Sequence, residues 1–207
     1  SGPALYTPLT YVAALGALLA TLPPAVLWVG TSLGGICGMI LAAQPKTPLS
    51  KLVLNDIGPF IPAAAIARIR DYMQPPPVFS DVAELEAFLR VILASFGIPD
   101  DRAWAEMAEH SSRRLPDGRV TLHYDPAIGE AMQADVPADV NLQDFWEKIT
   151  IPTFTIRGAL SDLLLPETLA AMEKDGSGSL VVPEVGHAPA LMDAKTISAI
   201  RGFLAEN

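Results

Sequence analysis

The tightest constraint on the fold lies between Val26 and Leu41. Val26-Leu27-Trp28-Val29 is a short β-branched and aromatic run, as expected of a strand covered on both faces. Leu33, Ile36, Cys37, Ile40 and Leu41 then recur at helical spacing. Between the two lies Gly30-Thr31-Ser32-Leu33-Gly34, a G-x-S-x-G at a strand-to-helix turn. A turn that sharp lifts the serine hydroxyl above the sheet, and glycine on either side removes a Cβ that would clash. The plain alternative is a glycine-rich turn with a capping serine. A phosphate loop is disfavoured, because neither G-x-x-x-x-G-K nor G-x-G-x-x-G occurs here.

The same region has to be tested as a membrane segment. No charge occurs from Ser1 to Pro45, the first being Lys46, and Ala25 to Ala43 is long enough to span a bilayer. Gly30, Gly34, Gly35 and Gly38, the hydroxyls of Thr31 and Ser32, and Pro23-Pro24 all argue against it, and no basic flank marks an orientation. The basic start of a signal peptide is also missing. The rest of the composition is globular: of 207 residues, 50% are apolar and 18% charged. With 14 basic against 23 acidic residues the net charge is −9, the wrong sign for a phosphate backbone. Neither a nucleic-acid nor a membrane partner is expected. One cysteine makes no internal disulfide, so a cytoplasmic location is expected. A homo-oligomer is compatible with the sequence without being required by it.

Lys51 to Asn55 reads as the next strand, ending at Asp56-Ile57-Gly58-Pro59, so the order strand, helix, strand implies a parallel sheet. From Phe60 to about Lys148 helices joined by proline-rich loops are predicted, without a convincing succession of strands: Ile61 to Met73, a helix opened by Asp81 with Glu84 three residues on, and Asp101 to about Ser111. The sheet pattern resumes with a strand at Ile151 to Arg157, a helix at Pro166 to Lys174, a short strand at Leu180 to Val182 and a terminal helix at Ala194 to Leu204 capped by Asp193. Gly176-Ser177-Gly178-Ser179 reads as a flexible patch. The division is therefore core (1–59), inserted helical cap (60–149) and core again (150–207), in an α/β fold with a mostly parallel sheet.

A serine nucleophile needs a base, and the base a third group to orient it. Of three histidines, His187 follows the last strand in Gly186-His187-Ala188-Pro189, whereas His110 falls on a surface helix and His123 in an extended stretch of the cap. For the acid, Asp162 in Ser161-Asp162 follows the penultimate strand, and the order Ser32, Asp162, His187 places the acid nearer the histidine. Asp56, also at a strand end, competes; its other role would be to brace the loop into the cap. Trp104, His123 and Tyr124 are candidates for lining a substrate pocket, and Cys37 is a small core residue. No His, Cys and carboxylate cluster has metal-site spacing, and no cofactor is implied.

Gly30-Thr31-Ser32-Leu33-Gly34-Gly35, Leu54-Asn55-Asp56-Ile57-Gly58-Pro59, Arg157-Gly158 with Ser161-Asp162, and Gly186-His187-Ala188-Pro189 together resemble the α/β-hydrolase superfamily, in its cap-bearing branch, from about Tyr6 onward. The resemblance implies Ser32 as nucleophile, Asp162 as acid, His187 as base and the Leu33 backbone N–H as an oxyanion donor. Haloalkane dehalogenases of this fold carry aspartate where Ser32 stands, which disfavours that activity. Members normally have about four strands ahead of the serine strand, so roughly 60 to 80 residues of sheet are expected upstream of this sequence. The expected chemistry is acyl-transfer hydrolysis of a small, largely apolar ester, thioester, lactone or related carbonyl compound. Carbon–carbon bond hydrolysis or peracid formation at the same residues, and a non-catalytic ligand-binding protein of this fold, are the alternatives.

Overall fold

A computed structural model describes residues 2–73, 75–134 and 136–206. In chain order, α1 (Pro8–Leu19) leads to β1 (Val26–Thr31), α2 (Leu33–Ala42) and β2 (Leu49–Asn55). Then come β3 (Phe60–Ile61), α3 (Ala63–Tyr72), β4 (Val78–Phe79), α4 (Val82–Ile92), α5 (Asp101–Ser111), β5 (Ser112–Arg114), β6 (Val120–Leu122), α6 (Ala127–Ala134), β7 (Val140–Asn141) and α7 (Gln143–Trp146). The chain returns through β8 (Thr153–Gly158), α8 (Pro166–Ala171), β9 (Ser177–Val182) and α9 (Ala194–Ala205).

The main sheet has the order β1-β2-β8-β9 with every pair parallel. β2 lies inside it, and Leu52, Val53 and Leu54 are completely buried, which is why that strand is an unbroken apolar run. β1 pairs on one side only among the described residues, and Leu27 and Val29 on it remain about half exposed. α2 packs on the sheet with Gly35 and Gly38 facing Leu54 and Leu52, α1 packs on α2 with Gly16 against Leu41, and Cys37, Met39, Leu41, Val12 and Leu19 join the buried core. Burying a Leu or Met side chain of this kind contributes roughly 1.5–3 kcal/mol.

Asp193 caps α9 as expected, its carboxylate accepting from the Thr196 N–H at 2.9 Å. Asp81 caps α4 in the same way, and Glu84 reaches back to the Ser80 N–H at 2.7 Å. Two expectations need correction. Residues 177–179 are the first half of β9, paired with Thr153, Phe154 and Thr155, so cross-strand pairing overrides the low strand propensity of glycine and serine. The segment between β2 and β8 also carries strands, the pair β3-β7 and the antiparallel sheet β4-β6-β5. That small sheet packs with α4 and α5 around Phe79, Leu85, Leu89, Trp104, Ala108, Val120 and Leu122, an apolar core separate from that of the main sheet.

Candidate active site

Register sets the site. Thr31 pairs with Asn55 in the parallel ladder, so Ser32 and Asp56 leave the same end of the sheet one strand apart, roughly 5 Å. Ser32 has φ 50° and ψ −118°, a conformation rarely populated by residues with a Cβ. It is held there on both sides. Its N–H donates to the Asn55 carbonyl at 3.1 Å, and its carbonyl accepts from the N–H groups of Gly35 and Ile36 at the start of α2. Strain of this kind persists where surrounding hydrogen bonds over-determine it.

His187 completes the geometry. Its Nε2 lies 3.2 Å from the Ser32 Oγ, and its Nδ1 lies 2.8 Å from the Asp56 Oδ2. The imidazole is nearly buried and the Asp56 carboxylate wholly so. A carboxylate removed from water needs donors on its other lone pairs. The Gly158 N–H supplies one to Oδ1 at 2.8 Å and the Ser161 hydroxyl another to Oδ2 at 2.5 Å. The Ser161 Oγ in turn accepts from the Leu163 and Leu164 N–H groups, both at 3.2 Å. Arg157 fixes that loop from beneath, donating to the carbonyls of Leu164, Ala159 and Ser161. Asn55 is also completely buried; its amide nitrogen donates to the Thr31 hydroxyl and to the Pro189 carbonyl, tying the serine strand to the histidine loop.

The carboxylate on His187 is therefore Asp56, and the expectation of Asp162 in that place does not hold in the structure. Ser161 turns inward to Asp56, so the next side chain turns outward. Asp162 makes a two-point ion pair with Arg68 of α3, at 2.6 Å to Nε and 2.7 Å to an Nη, about half exposed. Hydrogen bonding from Arg68 holds the Asp162 carboxyl below the usual range, against the opposing pull of partial burial. Chain order and spacing fit either aspartate, and only the inward turn of Ser161 separates them.

The remaining candidates lie as follows. Leu33 opens α2, and as the first helical residue its N–H has no acceptor within the helix. Trp104 belongs to the separate apolar core, where Arg90 stacks over its ring at 5.2 Å, and Tyr124 packs against the same cluster. His123 and His110 are exposed. Cys37 is buried, which pushes its thiol pKa up. Ser161 and Asn55 are the positions that sequence reasoning did not single out. A buried polar pair beside an acid at a strand end leaves no periodic signal.

Residues 1–199 match the model of the alpha/beta hydrolase family. The chain belongs to that family. A 3-hydroxybutyrate-oligomer hydrolase from Cupriavidus necator is 39% identical over an alignment of 186 positions that covers 85% of this chain, and the chain spans 64% of that relative's length. The solved structure of an alpha/beta hydrolase from Novosphingobium aromaticivorans is 31% identical with a TM-score of 0.88, the match covering 99% of this chain and 74% of that one. A crystallised Rickettsia typhi protein is 32% identical with a TM-score of 0.92, covering 100% of this chain and 72% of its own. Among the described residues no helix is long and apolar enough to cross a membrane.

Proposed function

We propose that this alpha/beta hydrolase is a serine esterase working through Ser32, His187 and Asp56, with residues 60–149 as its cap. The observation that carries the reading is the unbroken row of hydrogen bonds from the Ser32 Oγ through His187 to the buried Asp56. The Ser32 hydroxyl attacks the carbonyl carbon, and His187 Nε2 takes its proton and passes it to the leaving alcohol as the carbon–oxygen bond breaks. Asp56 holds the proton on Nδ1, keeping Nε2 free as the base, and offsets the charge of the imidazolium. Water then cleaves the acyl-serine by the same proton route in reverse. The Leu33 N–H, unclaimed within its helix, is oriented by the turn to donate to the oxyanion; a donor of that kind contributes roughly 3 kcal/mol.

The proposed substrates are small, largely apolar esters, and in particular short oligomers of a hydroxy acid such as 3-hydroxybutyrate. The similarity to the Cupriavidus necator hydrolase supports this narrower class. The test is release of monomer from 3-hydroxybutyrate dimer and trimer, alongside p-nitrophenyl acetate and an acyl thioester. Turnover of the oligomers that vanishes in Ser32→Ala is expected. Turnover of thioester alone would replace the substrate class, and oligomer turnover persisting in Ser32→Ala would overturn the mechanism.

A further inference from the structure

The loop carrying His187 is held from two sides, and one of them is the inserted segment. From the sheet, the Leu160 N–H donates to the Val185 carbonyl at 2.8 Å and the Asn55 amide to the Pro189 carbonyl at 2.9 Å. From the insertion, a single 3-10 turn after α4, Ala94–Phe96, supplies two acceptors. The Gly186 N–H donates to the Ser95 carbonyl at 2.7 Å, and the Ala190 N–H to the Phe96 carbonyl at 2.8 Å. These residues lie one before and three after the imidazole, so the turn grips the loop on both flanks of His187.

The turn is not a free loop. Leu93 on one side of it and Ile98 on the other pack against the apolar core of the insertion, so the turn is anchored in that core. Gly97 ends it at φ 71°, with Val185 pressed so close that an added Cβ would lie 2.7 Å from the Val185 Cγ2. Gly186 fits as closely from the other direction: a Cβ there would meet the Ser95 Cβ at 3.0 Å and its Oγ at 3.1 Å.

We propose that the turn Ala94–Phe96 is a positioning element for His187, which makes the placement of the insertion a condition for alignment of the base; this rests on the reading of Ser32 and His187 as the reacting pair. Displacing the turn then displaces the flanks of His187 and with them the 3.2 Å approach of its Nε2 to the Ser32 Oγ. Misplacing a reacting group by about 1 Å costs up to about 100-fold in rate.

The experiment is a rescue. Gly186→Ala adds one methyl group facing Ser95, and Ser95→Gly removes the side chain it meets. Both are made in the 207-residue chain and followed by ester turnover and by the rate at which a fluorophosphonate labels Ser32. Gly186→Ala is expected to lower kcat and the labelling rate by about 10- to 100-fold with KM within about twofold, and the double variant to recover most of that loss. If Gly186→Ala does not fold, Val185→Ala, which removes the side chain packed on Gly97 from the loop side, makes the comparison, with kcat and the labelling rate again expected to fall. A single variant with unchanged labelling, or a Gly186→Ala loss that Ser95→Gly does not recover, overturns the proposal while leaving the esterase reading standing. A wild-type Ser32 that is not labelled overturns both.

Discussion

His187 Nδ1 sits 2.8 Å from the Oδ2 of Asp56, a carboxylate without exposed surface at the end of an interior strand. In the proposed mechanism that pairing puts the acid on the strand beside the serine strand, while Asp162 pairs with Arg68.

The two aspartates should therefore respond oppositely to the same change. Asp56→Asn keeps the shape but loses control of the imidazole tautomer, and kcat for ester hydrolysis is expected to fall by on the order of 10³ to 10⁴. Asp162→Asn should leave kcat within about threefold, since its hydrogen bonds go to Arg68 and its charge interaction with His187 is the smallest of the influences on it. Steady-state kinetics on the two variants decides it.

Ser161 is expected to matter for stability as well as rate. Its hydroxyl donates to Asp56 and accepts from two backbone N–H groups, so Ser161→Ala orphans a buried carboxylate lone pair and two amides together. A loss of about 1–3 kcal/mol or more is expected in urea unfolding at neutral pH, together with lower kcat. A variant as stable and active as the wild type would show that water replaces the hydroxyl.

The two glycines of the G-x-S-x-G turn are not equivalent. A Cβ on Gly30 would lie 2.4 Å from the Gly34 carbonyl oxygen and 2.6 Å from the Gly35 nitrogen, both backbone, whereas one on Gly34 meets nothing within 4 Å. Gly30→Ala is expected to cost about 3 kcal/mol or more, and Gly34→Ala to be neutral or to gain up to about 1 kcal/mol of helix propensity. Thermal unfolding of the two variants is the measurement.

The Arg68–Asp162 pair should weaken in acid. A carboxyl whose folded pKa is depressed contributes stability that is complete above its unfolded value, about 3.9, and is lost as pH falls through the lower folded value. Both side chains are about half exposed, so screening limits the contribution to about 1 kcal/mol or less. The stability difference between wild type and Asp162→Asn is expected to be full at pH 6 and to shrink progressively as pH falls below about 4, as measured by urea unfolding across that range.

Much of this was legible in the sequence because local chemistry and fold agreed there. The glycine-flanked Ser32 required a strand before it and a helix after it, and the strands at Val26 and Lys51 and the caps Asp81 and Asp193 follow from apolar runs and capping residues. What escaped was decided by contacts across the fold. Asp56 and Asp162 both follow strands in chain order ahead of His187, and the choice turns on one hydroxyl, that of Ser161, entering the site. The strand at residues 177–179 depends on pairing with β8, and the role of Trp104 on a second apolar core that no short-range pattern announces. Ser95 and Phe96 contact the histidine loop through backbone carbonyls, which side-chain identity does not encode.

The most direct test of the central claim is covalent. The wild-type chain, treated with a fluorophosphonate and digested, should carry one adduct on the peptide containing Ser32; Ser32→Ala should carry none, and His187→Ala and Asp56→Asn should label far more slowly while Asp162→Asn labels like the wild type. An adduct on another serine, or equal labelling of the wild type and Asp56→Asn, would contradict the assignment of Ser32, His187 and Asp56 as the working set.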